Sequence, residues 1–240
     1  MANSIAVGFD FDHTLGIDNR LERTTALDLL SDLARRRGVT YDTDAANAAI
    51  DAVLGTYRSG EQSVETAIAG FYERFAPGGT TTDVVDEASK FRDAVLERTE
   101  RHVEAVAGAH DMLASLEAMG VPYAILTNGW SPLQEEKARL FGFRKPVYVS
   151  ERIGARKPAR EAFDALVDAF ELPAGQIWYV GDDPRTDCAG ATAAGLVSVW
   201  FDWENVPFPP DIAAPAHTIH TLAELPALLA GRLAETASSG

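Results

Sequence analysis

Asp10 and Asp12 stand two residues apart, directly after the apolar run Ile5-Ala-Val-Gly-Phe9. Paired carboxylates at a strand end can divide one displacement between a nucleophile and a proton carrier. The plainer reading is an Asx-turn pair that closes the strand. Other polar groups follow other apolar runs. Thr127-Asn128-Gly129 comes after Tyr123-Ala-Ile-Leu126, and Gly181-Asp182-Asp183 after Ile177-Trp-Tyr-Val180, with Asp187 just beyond. Lys157 precedes the helical stretch that leads into the second of these runs. Polar residues gathered at the ends of several strands carry more information than the same residues scattered.

Bringing them together requires a parallel sheet, whose ligands bind beyond the carboxyl ends of the strands. From about residue 106 the chain alternates between helical and apolar stretches. The pattern predicts helices near 108–119, from Ser131, over 158–170, 186–194 and 221–232. Strands are predicted at 122–127, 147–149, 177–180 and 196–200. Such alternation argues a parallel sheet with helices on both faces. Ser131-Pro132-Leu133-Gln134 reads as a capping box with proline at the first helical position. Residues 19–100 differ: Ala26, Leu29, Leu30, Leu33 and Ala34 recur at helical spacing up to Gly38, and further helices are predicted near 43–58, 61–75 and 81–100.

Asp10-x-Asp12-x-Thr14 after a buried strand resembles motif I of the haloacid dehalogenase-like (HAD) superfamily. Thr127 is similar to its motif II, Lys157 to motif III, and Gly181-Asp182 with Asp187 to motif IV, in the family's order across about residues 5–230. The resemblance implies an α/β fold: a Rossmann-like parallel-sheet core over 1–17 and 102–240, with an all-helical C1-type cap inserted over 18–101. It implies a Mg2+-dependent phosphatase acting on a small phosphorylated metabolite. Asp10 would attack phosphorus and form an aspartyl-phosphate, while Asp12 would protonate the leaving oxygen and later deprotonate water. Asp10, the main-chain carbonyl of Asp12 and Asp182 would hold Mg2+, and Asp187 would orient a metal-bound water. Lys157 would oppose the phosphoryl charge, and Thr127 with the Asn128 amide would donate hydrogen bonds to its oxygens. Thr14 is expected to fix the motif I loop. Asp183, where the family commonly has Ser or Thr, is expected to start the turn at Pro184.

Related chemistries are disfavoured by particular residues. Dehalogenases of this superfamily lack the second motif I aspartate, which is present here as Asp12. Phosphonate hydrolases place an imine-forming lysine in the cap, where this chain has only Lys90. A β-phosphoglucomutase-like transferase and a non-catalytic phosphate- or protein-binding scaffold stand as alternatives. Phe9-Asp-x-Asp-His13-Thr and Leu126-Thr-Asn-Gly-Trp130 resemble the branch with pyrimidine-nucleotide 5′-monophosphatases and N-acylneuraminate-9-phosphatases. Substrate contacts should come from the cap. There Tyr57, Phe71, Tyr72 and Phe75 are candidates, although aromatics at helical spacing more often form the core of a bundle. Arg35-Arg36-Arg37 suits the negative end of the first cap helix. Trp200, Trp203 and Phe208 are expected to cover the core beside strand five, and Cys188 to be buried.

The 240 residues carry 21 Lys and Arg against 36 Asp and Glu, a formal charge of −15. That excess disfavours nucleic-acid polymers and anionic membranes as partners. One cysteine excludes a disulfide framework and a four-cysteine zinc site. No apolar run approaches the ~20 residues of a membrane span, and the opening residues lack the basic start of a signal peptide. The expectation is a cytoplasmic monomer or homodimer with a small phosphomonoester as its substrate.

Overall fold

The computed structural model describes residues 5–79 and 81–238. They form two compact units, Met1–Ile17 with Val103–Gly240, and Asp18–His102. The chain begins with β1 (Ala6–Phe9) and β2 (Gly16–Ile17). It then forms the second unit as α1 (Leu21–Arg37), α2 (Thr43–Arg58), α3 (Val64–Phe75) and α4 (Thr81–Arg98). The first unit resumes with β3 (Glu104–Ala105), α5 (Ala109–Ala118), β4 (Tyr123–Thr127), α6 (Leu133–Phe141), β5 (Val147–Val149), α7 (Ser150–Ile153) and α8 (Arg160–Phe170). It ends with β6 (Ile177–Gly181), a π-helical turn (Pro184–Ala189), α9 (Gly190–Ala194), β7 (Val197–Phe201), β8 (His217–Ile219) and α10 (Glu224–Ser238).

Six strands make one parallel sheet in the order β5-β4-β1-β6-β7-β8. All four residues of β1 are buried, as a central strand covered on both faces requires. Val7 and Phe9 point into a cluster with Met112 and Leu116 of α5, Phe141 of α6, and Leu225 and Leu229 of α10. Ala6 points to the opposite face, with Phe163 and Leu166 of α8 and Ala191 of α9. Gly8 shares that face. A Cβ there would lie 2.4 Å from Leu166 Cδ1 and 2.9 Å from the Tyr179 ring, so the missing side chain lets both pack against the strand. The strand order reverses at β1, between β4 and β6, so the crevice beyond Phe9 is the topological switch point.

The inserted unit is a four-helix bundle. The Asp42 carboxylate accepts the amides of Asp44 and Ala45 at the start of α2, and Ser63 that of Thr66 at the start of α3. Gly38 ends α1 in the left-handed conformation. Tyr57, Phe71, Tyr72 and Phe75 are all buried in this unit, where they form its core. Tyr57 also bonds the buried Glu22, which pairs with Arg58 at 2.9 Å. The three consecutive arginines are tied to the bundle: Arg35 to Asp32, Arg36 to Glu87, and Arg37 to the Ala76 carbonyl.

Four sequence expectations are corrected. The capping box at Ser131 does not form. Pro132 is the residue before α6, the Ser131 hydroxyl donates to Glu135, and Gln134 donates to Asp12. Gln134 is thereby drawn across to the β1 loop and leaves the start of α6 without a side-chain cap. The helix expected over 158–170 is preceded by the separate short α7 and begins at Arg160. The helix expected from Thr186 is instead a π turn followed by the five-residue α9. The last helix starts at Glu224 rather than 221, because the Glu224 carboxylate accepts the amides of His220 and Thr221. The short strands β2, β3 and β8 carry too few residues to show an alternating pattern. No helix among the described residues is long and apolar enough to cross a membrane.

Candidate active site

Asp10 follows the last residue of β1 and continues its ladder, its amide donating to the Val180 carbonyl at 2.9 Å. Beyond it the chain winds tightly. The Phe11 carbonyl receives the amides of Thr14, Leu15 and Gly16, and the amide of His13 reaches the Gly16 carbonyl. His13 takes a left-handed φ of 62° to allow this turn. The buried Thr14 directs its hydroxyl to Asp182 at 3.4 Å, so it ties the β1 loop to the β6 loop.

Lys157 is buried, and its ammonium donates to Asp10 Oδ1 at 2.8 Å, Asp187 Oδ1 at 2.6 Å and the Tyr179 hydroxyl at 2.8 Å. An ammonium has three donors, so all of them are engaged within the protein. Burial alone would lower the Lys157 pKa, but Asp10, Asp187 and Tyr179 outweigh it and raise the value well above the ordinary lysine range. The Tyr179 hydroxyl in turn donates a hydrogen bond to the Leu126 carbonyl at 2.7 Å. The Lys157 main chain is held by Asn128. The Asn128 carboxamide accepts the Lys157 N–H and donates to its carbonyl, each at 2.9 Å. The Asn128 side chain is therefore oriented by Lys157, and its main-chain amide lies next to the buried Thr127.

The β6 end supplies the remaining carboxylates. The second oxygen of Asp187 accepts the Asp183 amide at 3.1 Å. The π turn places Asp187 there, and the arrangement needs Gly181, where a Cβ would lie 2.2 Å from Asp187 Oδ2. Asp183 accepts the amides of Arg185 and Thr186 and so opens the turn at Pro184. Cys188 is buried beside it, and burial raises its thiol pKa.

Asp10, Asp182 and Asp187 each offer an oxygen within 4.8 Å of the others. Three carboxylates face one ammonium, and burial together with Asp187 and Asp10 pushes the Asp182 pKa up to about 8. An all-oxygen set with surplus negative charge fits a hard divalent cation such as Mg2+. Asp12 lies outside this set. Its half-buried carboxylate instead meets Lys137 Nζ at 3.0 and 3.3 Å and Gln134 Nε2 at 3.0 Å. Of the predicted residues, the fold thus gathers Asp10, Lys157, Asp182 and Asp187 around one point, with Thr127 and Asn128 on the adjoining strand end.

Sequence reasoning passed over Tyr179, Gln134 and Lys137. The signal for Tyr179 was a hydroxyl inside an apolar strand, which needs a buried partner. For Lys137 it was a rare lysine, three residues after Gln134 on one helix face. Beside Asp182 opens a cleft of about 410 Å3 lined by His13, Trp200 and Trp203 among others. Trp200 is buried and donates to the Asp182 carbonyl, with Phe208 edge-on to its ring. Trp203 is half-exposed and stacks parallel to His13.

The open parallel sheet, the carboxylate cluster at its switch point and the helical insertion after the first strand define a hydrolase with a Rossmann-like core and a cap. The chain belongs to the haloacid dehalogenase-like hydrolases, whose family model matches residues 6–195. The ribulose-1,5-bisphosphate 5-phosphatase of Halopiger xanaduensis is 28% identical over 92% of this chain and 97% of its own. The phosphoserine phosphatase of Thermus thermophilus is 27% identical over 90% and 95%. The magnesium-bound crystal structure of the HAD-hydrolase YfnB from Bacillus subtilis superposes with a TM-score of 0.69 at 25% identity, covering 94% of this chain and 98% of that one. The sequence match to YfnB, 34% identical, spans about half of each chain.

Proposed function

We propose that this protein is a Mg2+-dependent phosphatase that hydrolyses a small phosphomonoester through a phosphorylated Asp10. The observation that carries the reading is Asp10 itself. It is locked by Lys157, clustered with Asp182 and Asp187, and followed two residues later by a carboxyl held outside that cluster.

Asp10, Asp182 and Asp187 would hold the cation, with the Asp12 main-chain carbonyl as a further ligand. When bound, the cation supplies positive charge that offsets the repulsion between these carboxylates and a phosphate dianion. Lys157 fixes the Asp10 carboxylate and adds a buried positive charge beside it. An Asp10 oxygen attacks phosphorus, the bond from phosphorus to the leaving oxygen breaks, and Asp12 gives that oxygen its proton. Water then attacks the phosphorus of the aspartyl-phosphate and loses its proton to Asp12, which releases inorganic phosphate and restores Asp10. Thr127 and the Asn128 amide would donate hydrogen bonds to phosphoryl oxygens. The helical insertion, as a C1-type cap, would select the leaving group.

The two relatives that align along most of both chains are named for a sugar bisphosphate and an amino-acid phosphate, which supports a compact, polar substrate. The reading includes a cytoplasmic setting, in keeping with a lone, buried cysteine.

The test is phosphate release from a panel of sugar phosphates, nucleotides, phosphoserine and phosphoglycolate, with and without Mg2+. Release should depend on Mg2+ and vanish in Asp10→Asn. No release from any substrate would refute the phosphatase reading, and isomerisation of hexose phosphates without net release would replace it with a mutase.

A further inference from the structure

Lys137 is almost fully buried, and a lysine is placed in such a position at a desolvation cost that only close partners offset. Its ammonium lies 3.0 Å from Asp12 Oδ1 and 3.3 Å from Oδ2. Gln134, three residues earlier on the same face of α6, donates to Oδ2 at 3.0 Å. The other carboxamide atom of Gln134, Oε1, is buried without a hydrogen-bond partner. An orphaned acceptor is unfavourable. The carboxamide accepts that penalty in the orientation that keeps its N–H on Asp12. Both oxygens of Asp12 are thus fixed from α6, the helix that follows the Thr127-Asn128 strand end.

The two motif I carboxylates, only two residues apart, are therefore held by two different buried lysines. Lys157 takes Asp10 into the cluster with Asp187, and Lys137 takes Asp12 away from it. We infer that Lys137 and Gln134 are positioning residues for the proton-transfer step. They hold the Asp12 carboxyl outside the cation cluster, in one place, so that it serves the leaving oxygen and does not become a further ligand. The inference rests on the proposed role of Asp12 and goes beyond it by assigning the residues through which that role is enforced. A buried lysine serving folding alone would lower every activity together. A positioning lysine instead acts selectively on the substrates that need a proton.

The experiment compares kcat/KM, which reports phosphoryl transfer to Asp10, for p-nitrophenyl phosphate and glycerol 1-phosphate. The nitrophenolate leaves without a proton, and the glycerol alkoxide does not. In the full-length protein with Mg2+, Lys137→Met should lose at least about tenfold more kcat/KM on glycerol 1-phosphate than on p-nitrophenyl phosphate. Gln134→Leu should show a smaller loss of the same sign, and Lys137→Arg should recover part of it. In an Asp12→Ala background, Lys137→Met should add no further loss on glycerol 1-phosphate. Equal losses on both substrates, or an additive loss in the Asp12→Ala background, would overturn the inference while leaving Asp12 as the acid. Full activity of Asp12→Ala on glycerol 1-phosphate would overturn the role of Asp12 and the inference with it. If Lys137→Met does not fold, Gln134→Leu removes no charge and decides the same question by the same ratio.

Discussion

Asn128 and Lys157 are joined as two paired strands would be, the carboxamide accepting the lysine's N–H and donating to its carbonyl at 2.9 Å each. The lysine lies in an irregular segment between α7 and α8, where no ladder holds its backbone. The asparagine supplies the missing pair of bonds from the end of β4. Its carboxamide thereby sets the point from which the Lys157 side chain reaches Asp10 and Asp187.

Asn128→Ala removes both bonds. The expected cost is about 1–3 kcal/mol of stability. A displacement of Lys157 by ~1 Å should also lower kcat/KM on the order of 10²-fold. Asn128→Asp retains the acceptor for the N–H and should fall between the two. Thermal denaturation and steady-state kinetics on the same preparations check this. Wild-type kinetics in Asn128→Ala would show that Lys157 needs no such anchor.

Gly181→Ala tests the space beneath the cluster. The new Cβ would meet Asp187 Oδ2 at 2.2 Å and Cγ at 2.4 Å. Asp187 must then give up its bond to Lys157 or to the Asp183 amide. Overpacking of this kind costs about 1–3 kcal/mol, and the cation site should weaken along with it. The expected result is a lower Tm and a Mg2+ activation curve displaced to higher concentration. An unchanged Mg2+ midpoint would separate the Asp187 position from cation binding.

Tyr179→Phe removes the hydroxyl that links Lys157 Nζ to the Leu126 carbonyl. One ammonium proton and one carbonyl would be left unpaired in a dry site, at a cost of roughly 1–3 kcal/mol. Burial raises the Tyr179 pKa well above the usual tyrosine range, so the hydroxyl keeps its proton across the working range. The loss of activity should therefore be independent of pH between 6 and 9, as a comparison of kcat/KM with wild type at each pH would reveal.

The core architecture was legible in the sequence because its strands are short apolar runs and its helices amphipathic, and each run ends in polar residues. Asp10 and Asp182 could be picked out because polar residues at strand ends open onto the switch-point crevice, whereas Lys157 and Asp187, which lie off the strand ends, were marked by their resemblance to the family's motifs. What the sequence concealed depends on side-chain direction. Ser131-Pro132-Leu133-Gln134 has the spacing of a cap, yet Gln134 turns to Asp12, a residue 122 positions away. Gly181 reads as a turn glycine until the π turn is seen to bring Asp187 against it. Tyr179 and Lys137 matter through contacts made by buried polar tips, and residue spacing along one strand or helix does not encode the partner at the other end.

Cation binding should be linked to protons through the neighbouring pair Asp182 and Asp187, and most of all through Asp182. Burial, Asp187 and Asp10 push its pKa up from 3.8 to about 8 in the metal-free protein, and burial raises that of the neighbouring Asp187 as well. The folded state thus keeps a proton that the unfolded chain has already lost between about pH 4 and 8. A raised carboxylate pKa contributes stability that is full below the unfolded value and is lost as pH rises through the folded one. The Tm of the metal-free protein should therefore fall between pH 5 and 8, and Asp182→Asn should reduce that fall, the remainder coming from Asp187. Mg2+ binding at pH 7 should expel about one proton, measurable as a dependence of calorimetric binding heat on the buffer's ionisation enthalpy. Saturating Mg2+ should raise the Tm more at pH 8 than at pH 5, since the cation takes over the charge that the proton had neutralised. A metal-free Tm that is flat over this range, together with buffer-independent binding heats, would show that the three carboxylates share their charge without holding a proton.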